Sequence, residues 1–161
     1  MQKGFASLEL IFAVLIISIL TTVAVPKAAN FVDRAALDYE KKRLYSELQY
    51  LRTLSRTITV SSNGMHMSDF FSSKITVDRP ALFDINRDTN SYRILRAGKQ
   101  IREVHYFSNG VKFSKETDVP PRIYFDTAGY SNVTSKSIVL VSRRGNKAKI
   151  IFDSVGRIRG E

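Results

Sequence analysis

A chain of 161 residues with a formal charge of +10, from 25 Lys and Arg against 15 Asp and Glu, has room for one domain with a real core and not for two. It contains no cysteine, which excludes a disulfide framework and any Cys-ligated metal site. So basic a balance favours anionic partners, whether nucleic acid or a membrane surface.

The N-terminal element comes first. Gly4-Phe5-Ala6-Ser7-Leu8-Glu9 leads into an unbroken uncharged run from Leu10 to Val25. Thirteen residues between Phe5 and Val25 are Leu, Ile, Phe or Val. At roughly −0.3 to −0.6 kcal/mol each, they supply about −4 to −8 kcal/mol toward insertion into a bilayer. One acid costs on the order of 2.5–3.5 kcal/mol at a helix centre and less near an end, so insertion wins. A length of 21 residues also matches a hydrocarbon core, which takes roughly 20. Lys3 is the only charge before the span and holds the first residues in the cytoplasm by the positive-inside rule, with Lys27 and Arg34 opposing it from the far side. The bulk of the chain is expected outside. Glu9, at the lip of this helix, calls for a cationic partner, because an opposite charge offsets the desolvation of a carboxylate in low dielectric. A conventional secretory signal cut near Thr22-Val23-Ala24 is the competing reading; the lone basic residue and the internal acid argue against it.

After Pro26 the pattern becomes amphipathic. Leu37, Leu44, Leu48, Leu51 and Ile58 share one helical face, while Asp38, Lys41, Lys42, Glu47, Arg52 and Arg56 occupy the others. The spacing predicts a helix continuing to about Thr57, on the order of 80 Å long when measured from Phe5, with a kink at Pro26.

Residues 61–73 are polar and irregular, with Ser61-Ser62-Asn63-Gly64 as a turn cluster and Phe70-Phe71 as an apolar patch needing cover. Strands are predicted at 74–78, 81–85, 91–97, 101–107, 111–113, 122–125, 137–141 and 147–152. Asn109-Gly110 marks a two-residue type I′ hairpin between 105–107 and 111–113, because both positions of that turn need positive φ. The fold class expected is α+β: a long N-terminal helix, membrane-spanning in its first half, packed on an antiparallel β-sheet domain.

Catalytic and metal-binding constellations do not emerge. His66 and His105 have no carboxylate in ligand spacing and read as surface or partly packed histidines. Asp84-x-Asn86-x-Asp88 begins like a calcium loop, but Thr89 stands where such a loop needs Gly and Leu95 where it needs Glu, so a turn with local hydrogen bonds is expected. There is no phosphate-binding Gly loop and no Ser or Cys nucleophile motif, so neither an enzyme nor a cofactor is expected. Basic residues gather late in the chain: Lys136, Arg143, Arg144, Lys147, Lys149, Arg157 and Arg159 face only Asp153 and Glu161 within the last twenty-six residues. That density suits phosphate contact, and arginine binds phosphate through a planar two-donor fork. The competing reading is scaffold charge that solvates a strand edge or meets lipid head groups. Tyr124 and Tyr130 read as core and turn residues rather than base-stacking platforms.

The N-terminus resembles the type IV pilins and type II secretion pseudopilins: a short basic leader ending in Gly4, then Phe5, Glu9 at the fifth position after it, the apolar run, and Pro26. This resemblance implies cleavage after Gly4 by a prepilin peptidase, N-methylation of Phe5, and pairing of Glu9 with the Phe5 ammonium of a neighbouring subunit. It further implies a leader at 1–4, a helix at 5–59 with 5–25 as transmembrane or filament core, and a periplasmic domain at 60–161. The implied partners are other pilin or pseudopilin subunits, the peptidase, an inner-membrane assembly platform and DNA; the implied site is the bacterial inner membrane and then a pilus or pseudopilus. The C-terminal forty residues resemble the GspH/FimT branch of minor subunits through Ile123-Tyr124-Phe125-Asp126-Thr127-Ala128-Gly129, Ser137-Ile138-Val139-Leu140, Lys149-Ile150-Ile151-Phe152 and Val155-Gly156-Arg157-Ile158-Arg159. In FimT-type members the terminal Gly-Arg-x-Arg is associated with DNA capture, which makes Arg157 and Arg159 candidate DNA ligands, and the basic clustering adds Arg143, Arg144, Lys147 and Lys149. A purely structural GspH-like pseudopilin without nucleic-acid binding is the alternative.

Overall fold

The structure, a computed structural model, describes residues 3–56, 81–96, 98–126, 128–153 and 157–160, with side chains from Leu8 onward. Helix α1 runs Lys3–Arg56 without interruption, 54 residues with Pro26 inside it. At about 1.5 Å per residue it is roughly 80 Å long. Its first half is exposed throughout, whereas Leu37, Leu44, Leu48 and Leu51 are buried, as their spacing requires. Ile58, the 74–78 strand, the 61–64 turn, His66 and Phe70-Phe71 lie outside the described residues. In the apolar half the hydroxyls of Ser18, Thr21 and Thr22 each donate to the carbonyl four residues back, at 2.7–2.8 Å. None of these three hydroxyls needs water, the condition for polar groups in hydrocarbon.

Two antiparallel sheets cover the second half of α1. The first contains β1 (Leu82–Asn86), β2 (Ser91–Arg96), β3 (Lys99–Gln100), β4 (His105–Tyr106) and β6 (Arg122–Tyr124), in the order β3-β2-β1-β6 with β4 also pairing β2. The second contains β5 (Lys112–Phe113), β7 (Lys136–Val141), β8 (Lys147–Phe152) and β9 (Ile158–Gly160), in the order β5-β7-β8-β9. Alternation decides which side chains enter the core. Phe83, Ile94, Ile123, Ile138, Leu140, Ile150 and Phe152 are buried to within 2 % and meet the leucine stripe of α1. A chain of rings, Phe83–Tyr92 at 4.8 Å, Tyr92–Phe107 at 5.7 Å and Phe107–Phe113 at 4.8 Å, joins one sheet to the other.

Most strands fall within a residue of their sequence positions, with two corrections. The run 101–107 is not one strand. Residues 101–104 bend, because Arg102 turns to α1, donating to Glu47 Oε1 at 2.7 Å and lying 4.1 Å over the Tyr50 ring; only His105–Tyr106 pairs. Nor is 105–113 a hairpin. Asn109 and Gly110 do turn with φ of 53° and 74°, and the Val111 N–H donates to the Ser108 carbonyl at 3.1 Å. The flanking strands then part: β4 joins β2, and β5 joins β7 in the other sheet. Asn90 holds both branches, its carbonyl accepting from the Phe107 N–H at 3.1 Å and its side-chain oxygen from the Phe113 N–H at 3.1 Å. Asn86 makes the expected local turn, its Oδ1 accepting from the Asp88 and Thr89 N–H groups at 3.0 and 3.1 Å. Beyond β6, Asn132 takes the place of a further strand: its Oδ1 accepts from the Tyr124 N–H at 2.9 Å and its Nδ2 donates to the Arg122 carbonyl at 3.1 Å, closing an edge that would otherwise offer pairing.

Candidate functional site

Three regions carry functional chemistry: the apolar half of α1, the face of the second sheet, and the joint between helix and sheets. Gly4 and Phe5 lie in the first turn of α1, and Glu9 follows one turn later, on the exposed surface. Among the described residues Glu9 has no cationic partner within its own chain, so its charge is open to a group brought by another molecule. One helix among the described residues is long and apolar enough to cross a membrane, and none of its most apolar stretch is buried in the protein. Exposure of Leu10, Ile11, Leu15, Ile16, Ile17, Ile19 and Leu20 at 52–67 % leaves a surface that water does not solvate well and that lipid or sister helices would cover.

The six basic candidates are not gathered into one patch. The register of β5, β7, β8 and β9 sets Lys112, Lys147, Lys149 and Arg159 on one sheet face, with Ser137, Val139 and Val141 between them. On this face an open cleft of about 370 Å³ is lined by Glu116, Ser137, Val139, Lys147, Ala148 and Lys149. Lys147 is already engaged by Glu116, whereas Lys149 and Arg159 are exposed with no acidic partner among the described residues. Arg143 and Arg144 sit in the turn between β7 and β8, and Arg157 lies at the opposite end of β8, about 20 Å away at strand rise. The Arg157 N–H donates to Asp153 Oδ1 at 2.7 Å, and its guanidinium stands 3.8 Å from Oδ2 of the same residue.

The turn at 142–146 is fastened to α1. Asp33 Oδ2 accepts from Ser142 Oγ at 2.5 Å and from Asn146 Nδ2 at 2.9 Å, while an Arg144 nitrogen donates to Asn30 Oδ1 at 2.8 Å. The Ser142 hydroxyl, followed by Asn146 and Arg144, holds the Asp33 carboxyl below the usual carboxylate range. The Arg143 side chain lies across Gly110, where a Cβ would push it aside and the positive φ of 74° already favours glycine.

Farther along α1, Glu40 is fully buried. Its Oε2 lies 2.7 Å from His105 Nε2, and its Oε1 accepts from the Ser108 Oγ at 2.6 Å and N–H at 3.0 Å. Burial pushes this carboxyl up, but the hydrogen bonds from Ser108 and His105 outweigh it and leave the group below its ordinary value. Burial pushes the neighbouring Tyr92 hydroxyl well above its ordinary value, keeping it neutral. Sequence patterning did not single out Glu40, although one signal was present: it stands three residues after Leu37 and four before Leu44, inside the apolar stripe. His105 proves partly packed, as expected, and its partner is this acid. The cluster ties the helix to the segment from which the two sheets diverge.

No family model matches the chain, and no curated protein does. Among solved structures it is similar to that of the minor pseudopilin EpsH from the type 2 secretion system of Vibrio cholerae, with a TM-score of 0.52 at 11 % identity, over 78 % of this chain and 95 % of that one. The fold is therefore that of the type IV pilin and GspH-like subunits: a long apolar N-terminal helix packed on antiparallel sheets.

Proposed function

We propose that this protein is a non-catalytic minor subunit of a type IV pilus or type II secretion pseudopilus, anchored in the inner membrane by residues 5–25 and assembled with related subunits through α1. The observation that carries this reading is a single helix whose exposed apolar half continues without a break into a half buried against the β domain. In a bilayer the exposed half is solvated by lipid; in a fibre, by sister helices. Glu9 favours the second state, because there it meets the amino group at Phe5 of a neighbour. Processing after Gly4 by a prepilin peptidase would create that amino group, with the domain from 60 onward in the periplasm and an assembly platform drawing subunits out of the membrane. Intact-mass and N-terminal fragment spectra of the protein from membranes are expected to start at Phe5 with one added methyl group. A start near Ala24 would instead make the apolar segment a discarded signal.

A second reading, DNA contact, is favoured by the unpartnered Lys149 and Arg159 on one sheet face. Full-length protein in detergent micelles is titrated with duplex DNA over a range of salt. The logarithm of affinity is expected to fall against log salt with a slope of about 0.9 per phosphate contacted, and the Lys149→Gln/Arg159→Gln variant to lose about two contacts of slope. Salt-independent affinity, or none, leaves the purely structural pseudopilin.

A further inference from the structure

The 142–146 turn is held at a particular height on α1. Val25 ends the apolar run, and Asn30 and Asp33, which receive the turn, follow five and eight residues later. At helical rise these positions stand about 8 and 12 Å beyond the hydrocarbon edge. A head-group layer is roughly 5–8 Å deep, and screening at physiological salt sets in over about 8 Å. The turn therefore lies at the outer edge of the head-group layer, within about one screening length of its charges, and the bonds from Ser142, Asn146 and Arg144 keep it there.

Its surroundings are cationic on one side. Lys27, Asn30 and Arg34 are spaced three and four apart and share the helix face on which the turn is seated. Lys27, Arg34, Arg143 and Arg144 are all exposed, and among the described residues Asp33 is the acid that opposes them at this level. Asp33 is itself occupied by Ser142 and Asn146. Beside this face Phe31 is 73 % exposed, an apolar side chain at the level where such groups enter the interface.

From this placement we infer that the β7–β8 turn, with Lys27 and Arg34, forms a cationic collar that binds the phosphates of anionic lipid head groups and sets the tilt of the domain on the membrane surface. The inference rests on the reading of residues 5–25 as a membrane span. Duplex DNA could meet the same guanidinium groups, but a collar seated at the base of the domain faces the bilayer first, and the sheet face that DNA would need lies above it.

The natural chain has no cysteine, so a single label can be introduced cleanly. Full-length Lys112→Cys, labelled beside the turn, and Thr134→Cys, labelled toward the other end of β7, are reconstituted in nanodiscs carrying a head-group acceptor. Resistance to carbonate extraction from parallel vesicles establishes insertion by itself, and its failure overturns the membrane-span reading and the collar with it. In inserted protein, energy transfer at position 112 is expected to rise about twofold when neutral lipid is partly replaced by phosphatidylglycerol, and to return in about 1 M salt. Lys27→Gln/Arg143→Gln, which spares the Asn30 and Asp33 bonds, is expected to abolish the rise, while position 134 changes in the opposite sense or not at all. Equal transfer in neutral and anionic discs overturns the collar. So does a rise that short duplex DNA produces in neutral discs and anionic lipid does not.

Discussion

Replacing Glu40 by alanine is expected to lower the unfolding free energy by about 2–4 kcal/mol, since it empties a fully buried site and removes the acceptor shared by the Ser108 N–H, the Ser108 hydroxyl and the half-buried His105 ring. Full-length protein in micelles, unfolded with urea and followed by tyrosine fluorescence, measures it. A loss below about 0.5 kcal/mol, the range of an ordinary surface change, would show that the cluster does not hold the joint. A cycle with His105→Ala isolates the pair: coupling is expected because the two side chains share one hydrogen bond across 65 residues of chain. The same carboxylate gives the protein an acid limb. Its folded value is lowered from the ordinary 4.5, so as pH falls below that point the unfolded state takes up the proton first. The stability it contributes is full above about pH 4.5 and is lost as pH descends through the folded value. Glu40→Gln, which preserves shape, is expected to flatten this limb; an unchanged pH profile would assign the limb to other carboxylates, Asp33 first.

Glu9→Gln is expected to leave membrane insertion and maturation as in the wild type, yet to reduce incorporation into fibres by at least about tenfold, equivalent to roughly 1.4 kcal/mol per subunit. The substitution keeps volume and hydrogen-bonding capacity and removes only the charge, so packing of α1 is unaffected. What disappears is the difference between the two environments of residue 9: a carboxylate gains more than an amide by moving from lipid to the side of an ammonium group. Sedimented fibres quantified against membrane-retained subunit supply the measurement. Wild-type incorporation of the glutamine variant would remove charge pairing from the account of assembly, while apolar burial of α1 could still drive it.

The two predictions concern acids that the sequence displays very differently. Glu9 interrupts an otherwise apolar run, so its oddity is visible within one turn of helix. Glu40 stands among Asp38, Lys41 and Lys42 and looks like one more solvated charge, until His105 and Ser108 close over it from the far part of the chain. The same contrast runs through the fold. The extent of α1, the burial of Leu37, Leu44, Leu48 and Leu51, and the positions of β1, β2, β7 and β8 follow from periodicities of 3.6 and 2, which neighbouring residues express on their own. The Asn109-Gly110 turn was equally legible, because positive φ is a local demand.

Which strand pairs with which was another matter. The chain on either side of Asn109-Gly110 could have closed on itself, and pairing with β2 and β7, held by Asn90 at both Phe107 and Phe113, sends the two arms to different sheets. The short β9, with a single buried residue in Ile158, exists because β8 presents an edge to it. The late basic residues read as one cluster along the chain, but a β-hairpin carries neighbours in sequence to opposite ends of a sheet, and Arg144 and Arg157 part accordingly. Composition and local spacing thus determined the elements of this protein and the apolar helix that marks its fold. The joint at Glu40 and the docking of the turn on Asn30 and Asp33 were decided by tertiary structure, because each depends on groups 65 to 114 residues apart whose meeting no local energy specifies; the dispersal of positive charge was decided by the pairing of β7, β8 and β9.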